Sequence, residues 1–184
     1  MESTRPTLWT IGHSTRPIED FISILKSHDI ESLADVRQFP ASRRYPHFGK
    51  DALAKSLADA NLMYTHFPEL GGRRRPQPNS PNIAWRNEAF RGYADYMMTP
   101  PFNAGIERLL KIAHEKRTAI MCAELLWWRC HRSLISDYLK AHGHQILHVM
   151  DAKKTQEHPF TAAARLVDGK LTYSTPESDL EFAF

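Results

Sequence analysis

The chain has 184 residues, 42% of them hydrophobic and 24% charged, with a formal net charge of +3. That size and balance fit one domain with its own core and exclude a disordered or low-complexity chain. No apolar run reaches the length of a membrane span, the N-terminus lacks the pattern of a secretory signal, and two cysteines are too few to staple a secreted scaffold, so a soluble cytoplasmic protein with free thiols is expected.

In chain order, "TLWTIGH" (7–13) is a short β-prone run ending in a glycine, and "PIEDFISILKSHD" (17–29) sets Ile18, Phe21, Ile22 and Leu25 at helical spacing behind Pro17. "IESLADVR" (30–37) reads as a second strand, "DALAKSLADANL" (51–62) as an amphipathic helix and "MYTHF" (63–67) as a third strand. The βαβαβ alternation is the mark of a parallel sheet covered by helices. Residues 68–83, rich in Gly, Pro, Asn and Arg, are expected to form a mobile loop. Two helices follow, over 87–98 and 101–116, separated by Pro100 and Pro101. "TAIMCA" (118–123) has the character of a buried strand, 130–143 of a helix closed by Gly143, and 144–150 of a last strand. Beyond Met150 an Asp-Gly turn within 164–174 predicts a hairpin, and 151–184 is expected to be an appendage of the single domain 1–184. The fold class expected is α/β, a mostly parallel sheet flanked by helices in a Rossmann-like three-layer arrangement.

Ligands of open parallel sheets sit outside the carboxyl ends of the strands. Those ends are polar in this sequence. Gly12, His13 and Ser14 follow the first strand, Asp35, Val36 and Arg37 end the second, and Cys122 and Glu124 follow the fourth, with Cys130, His131 and Arg132 opening the next helix. Cys122 alone reads most simply as a core residue, because free cysteine packs like a small hydrophobe. Cys130 lies at a helix start beside His131 and Arg132, surroundings that favour a thiolate. Asp35 and Arg37 share a strand face, where they either pair with each other or act on a ligand. A zinc site on Cys122, Cys130 and His131 is disfavoured by the eight-residue cysteine spacing and the absence of Cys-x-x-Cys, and no metal or other cofactor is expected. The chain has no P-loop and no triple-glycine dinucleotide motif. Ten Lys/Arg against four Asp/Glu between Arg37 and Arg91 point to an anionic partner, and "SRRYPHFGK" and "GGRRRP" combine cations with Tyr45, His47 and Phe48.

Taken in order, "TIGHS", "DVRQFPASR", "YPHF", "MYTHFPELGG", "FRGYADYM" and "MCAELLWWRCHRSLI" with "HQILHVM" resemble the bacterial and archaeal family called domain of unknown function 488, over about residues 8–150. Cys-Ala-Glu, five residues, then Cys-His-Arg is the most specific segment. The resemblance implies an α/β fold and a pocket lined by His13, Ser14, Asp35, Arg37, Ser42, Arg43, Cys122, Glu124, Cys130, His131 and Arg132. "LLWWR" departs from the more polar linker usual there, and Trp127 and Trp128 could wall the pocket or cover a partner surface.

Two functions are expected from these residues. In the first, an enzyme acts on a small anionic, nucleotide-like substrate. Asp35 or Glu124 serves as base, Cys122 or Cys130 as nucleophile or proton donor and His13 as shuttle, while Ser14, Arg37, Ser42, Arg43, His131 and Arg132 bind the substrate. In the second, the basic 37–91 region holds nucleic acid, in binding or repair.

Overall fold

The computed structural model describes residues 5–176. Its strands are β1 (Leu8–Gly12), β2 (Ser32–Asp35), β3 (Met63–His66), β4 (Thr118–Cys122), β5 (Ile146–Val149), β6 (Thr155–Glu157), β7 (Arg165–Val167) and β8 (Lys170–Thr172). Its α-helices are α1 (Ile18–Ser27), α2 (Lys50–Asp59), α3 (Glu88–Tyr96), α4 (Pro100–Glu115) and α5 (Arg132–Ala141). The main sheet runs β3-β2-β4-β1-β5-β6, parallel except for β6. The chain is thus an α/β domain, as its alternating pattern predicts.

Period-two alternation sorts the strand side chains onto two faces. Trp9, Ile11, Leu33, Ala119 and Met121 pack with Phe21 and Leu25 of α1 and Leu53 and Leu57 of α2. Leu8, Ala34, Ile120 and Ile146 pack with residues of α3, α4 and α5, including Phe102, Leu109 and Leu134. The crossovers through α1 and α2 move toward the β3 edge, whereas those through α3–α4 and α5 move the other way. Right-handed crossovers of opposite sense place their helices on opposite faces, which yields three layers.

Local signals explain several boundaries. The Asn87 side chain accepts from the amides of Ala89 (2.9 Å) and Phe90 (3.2 Å) and caps α3. Pro100 and Pro101 open α4 rather than merely separating it from α3. The stretch 68–83, expected as a mobile loop, is pinned instead: the Asp95 carboxylate accepts from Gln77 N, Ser80 Oγ and Asn82 Nδ2 at 2.6–2.7 Å. The hairpin expected within 164–174 is present as β7–β8, with Asp168 and Gly169 both at positive φ in its turn. Strand β6, which its polar sequence conceals, extends the main sheet beside β5. No helix among the described residues is long and apolar enough to cross a membrane.

Candidate functional site

Strand order explains where the cavity lies. β4 runs between β2 and β1, and the helix after β4 lies on the opposite face from the helices after its two neighbours. The chain therefore diverges on both sides of Cys122, opening a crevice at the carboxyl ends as expected for a topological switch point. A cavity of about 580 Å³ occupies it, lined by His13, Ser14, Arg37, Ser42, Cys122, Glu124, Cys130 and His131 among others. Three site residues expected from the sequence lie elsewhere: Asp35, Arg43 and Arg132 are not in the lining.

On the α1–α2 side, Asp35 is fully buried and accepts from Arg37 Nε (2.9 Å), Arg37 Nη2 (2.6 Å), the Arg37 amide (3.1 Å) and Tyr64 OH (2.7 Å). These bonds hold Arg37 in place and leave Asp35, expected as a general base, buried and outside the cavity lining. Arg37 also donates to Phe48 O (2.8 Å) and to His13 Nε2 (3.3 Å). His13 Nδ1 lies 2.9 Å from Ser14 O; a carbonyl only accepts, so Nδ1 carries the proton and Nε2 is the acceptor. Burial lowers the His13 pKa to about 4. With both nitrogens engaged and the ring stacked on Phe48, His13, expected as a shuttle, forms part of the cavity wall.

Across the crevice, His131 Nε2 lies 2.9 Å from Val36 O, so its proton is on Nε2 and Nδ1 presents a lone pair to Cys130 Sγ, 3.6 Å away. Burial lowers the His131 pKa to about 4, so the ring is neutral at neutral pH. Cys130 Sγ also accepts from the Arg132 amide (3.4 Å) at the start of α5. Arg132, only 1% exposed, lies beneath the floor. Its Nε donates to Cys122 Sγ (3.1 Å), Nη1 to Thr10 Oγ1 (3.2 Å) and Nη2 to the carbonyls of Glu124 (2.5 Å) and Leu125 (3.3 Å). Burial lowers the Arg132 pKa to about 9, against support from Glu124. Expected to bind a ligand, Arg132 instead has its guanidinium bonded to Cys122 Sγ and the loop backbone, outside the cavity lining.

The two cysteines were expected to be independent thiols. The structure instead pairs them sulfur to sulfur at the cavity floor, with Cα atoms 7.6 Å apart. The cause is the short helical turn Trp127–Arg129, which folds the eight-residue connection back over the end of β4. Gly12 permits this return, because a Cβ there would occupy the position of the Glu124 backbone carbonyl.

The groups open to a ligand are few. Glu124, Arg73 and Arg129 line the cavity, and none of their side chains forms a hydrogen bond or ion pair among the described residues. Arg73 rests over Phe39 (5.8 Å). Ser14 and Arg73, both in the lining, have positive φ (51° and 62°), a conformation that non-glycine residues adopt at a cost of about 1–3 kcal/mol and that recurs at functional sites. The run Arg73–Arg75 does not form one patch: Arg74 stacks on Tyr96 (3.7 Å) and bonds Gly71 O and Pro68 O, so it is structural. Ser42 Oγ accepts from the Tyr45 amide (2.9 Å) and shapes the wall, while Arg43 is exposed outside it. Trp127 is buried against His148 instead of walling the cavity, and Trp128 is 47% exposed. From the sequence, Arg73 reads only within the run Arg73–Arg75, as a nucleic-acid contact, and Arg129 does not read as a site residue, because nothing local distinguishes a cavity-lining arginine from any other solvated one. No group of three or more metal-ligating side chains is assembled among the described residues.

The sequence profile of the family described as Domain of unknown function DUF488 matches residues 17–139, which span the second strand, the fourth strand and both cysteines. No curated protein and no solved structure matches the chain. With two thirds of its length matched, the chain belongs to the DUF488 family.

Proposed function

We propose that this DUF488 protein is a cytoplasmic enzyme that, with its cysteine pair reduced, uses a cysteine thiolate on a small anionic substrate of the nucleotide or phosphorylated-metabolite class. The observation that carries the reading is the Arg132 Nε–H aimed at Cys122 Sγ from 3.1 Å, beneath a cavity whose uncommitted cations are Arg73 and Arg129. A guanidinium in contact favours the thiolate. Cys130 has different surroundings: once the pair is reduced, its S–H faces the lone pair of a neutral His131, 3.6 Å away and too weak a base to take the proton. The assignment thus moves from Cys130, favoured by its place in the sequence, to Cys122 as nucleophile. Glu124 supplies the carboxylate for proton transfer, and Arg73 and Arg129 hold the anion.

Titration calorimetry of the reduced protein with pyrophosphate and a panel of nucleotides tests this. Saturable binding that falls about tenfold or more in Arg73→Ala and in Arg129→Ala is expected, with unfolding midpoints unchanged because both side chains are exposed. Arg74→Ala is expected to do the reverse, keeping binding and losing about 1 kcal/mol of stability with its ring contact. Ligand binding indifferent to Arg73 and Arg129 would refute the assignment. A second reading, nucleic-acid binding, is favoured by Phe39 (65% exposed) and Trp128 near these cations. It requires salt-steep oligonucleotide binding that nucleotides do not compete away.

A further inference from the structure

We infer that Thr10, His148, His158 and Asp137 are positioning residues that seat Arg132 against Cys122 and thereby set the reactivity of that thiol from outside the cavity. The inference rests on the reading of Cys122 as the reacting thiol. Its basis is an unbroken buried chain of hydrogen bonds. Arg132 Nη1 donates to Thr10 Oγ1 (3.2 Å), Thr10 Oγ1 lies 2.7 Å from His148 Nδ1, His148 Nε2 lies 2.9 Å from His158 Nδ1, and His158 Nε2 lies 2.9 Å from Asp137 Oδ1. All five side chains are at most 1% exposed.

Arg132 can only donate to Thr10 Oγ1, and a carboxylate oxygen accepts, so the His158 Nε2 proton faces Asp137. Two histidines and a hydroxyl thus connect a buried guanidinium to a buried carboxyl group. Trp127 fixes the first ring by stacking on His148 at 4.3 Å and 4°. Asp137 is fixed in turn by Thr161 N (2.9 Å), Thr161 Oγ1 (2.5 Å) and Tyr173 OH (2.9 Å). Thr10, His148, His158, Thr161 and Tyr173 all lie outside the family-matched span 17–139. The segment after β5 therefore completes the support of a thiol that the matched span carries.

Besides Arg132, the charged or titratable groups that line the cavity with the two cysteines are His13, Arg37, Tyr45, Arg73, Tyr93, Glu124, Arg129 and His131. A change at Thr10 touches none of them directly. The test is iodoacetamide labelling of the reduced full-length protein over a pH series, read by mass spectrometry on the two cysteines separately, which trypsin divides at Arg129. In the unsubstituted protein Cys122 is expected to label at lower pH than Cys130. Thr10→Val, which keeps the side-chain size and deletes the hydroxyl, is expected to slow Cys122 labelling about tenfold at neutral pH, equivalent to about one pH unit in its midpoint. Thr10→Ser is expected to restore the rate, and Cys130 is expected to change in neither. Asp137→Asn is expected to act like Thr10→Val; should it not fold, the Thr10 pair still decides. Parental Cys122 labelling in a folded Thr10→Val protein would overturn the positioning role while leaving the proposed chemistry standing. Equal, slow labelling of both thiols in the unsubstituted protein would overturn the reading of Cys122 itself, and the inference with it.

Discussion

Replacing Asp35 by Ala would leave the Arg37 guanidinium, itself only 7% exposed, without its carboxylate at the cavity wall. The lost contacts are the two-pronged pair at 2.9 and 2.6 Å, the amide bond at 3.1 Å and the Tyr64 hydroxyl bond at 2.7 Å. Removing one partner of a buried pair costs about 3–5 kcal/mol, because the remaining charge stays buried and uncompensated. With a urea dependence of about 2 kcal/mol per molar, the unfolding midpoint should fall by about 2 M. Arg37→Met should cost a similar amount through the orphaned Asp35. The double variant Asp35→Ala/Arg37→Met, with neither charge, should lose much less than the sum of the two, since an apolar replacement of a buried pair is often near neutral. Urea unfolding followed by circular dichroism on all four proteins measures the cycle. A midpoint shift below about 0.5 M for Asp35→Ala, or strict additivity in the double variant, would refute the claim that these residues act as one buried unit.

Two further predictions concern the floor and walls. Burial holds His13 and His131 at pKa values of about 4, below the ordinary 6.5 of the unfolded chain, and lowers His148 in the same direction. As pH falls below 6.5 the unfolded state takes up protons that the folded state refuses, so this stability is intact above about pH 7 and is lost between 6.5 and about 4. Urea midpoints measured from pH 8 to pH 5 should be flat and then decline, with a shallower decline in His131→Asn; a midpoint independent of pH down to 5 would contradict neutral buried rings. Gly12→Ala would push a methyl group into the Glu124 carbonyl, backbone that cannot swing aside. It should cost about 1–3 kcal/mol in thermal unfolding and should also alter Cys122 alkylation, because the Glu124 carbonyl is a partner of Arg132.

The sequence by itself determined the class of fold, because period-two apolar runs alternating with helical spacing leave few alternatives to a helix-covered parallel sheet. It also pointed to the strand ends, where Gly12–Ser14, Asp35–Arg37 and Cys122–Glu124 interrupt apolar runs with polar groups, and the cavity lies there. The spacing of Asp35 and Arg37 on one strand face even allowed for their pairing. Strand order was decided only by the tertiary structure: β4 between β2 and β1 makes a crevice on both sides of Cys122, and no local signal encodes which strand is central. Which arginine does what was likewise hidden. Arg73 lines the cavity at positive φ while its neighbour Arg74 folds onto Tyr96, although the two are the same residue type in the same run. The deepest omission was the support of Arg132. Thr10 and His148 are 138 positions apart, His148 and His158 ten, and His158 and Asp137 twenty-one. Each is a single polar residue in unremarkable surroundings in the sequence. Only adjacent strands, a helix and the returning C-terminal segment bring them within hydrogen-bond reach, and burial then requires each to find a partner.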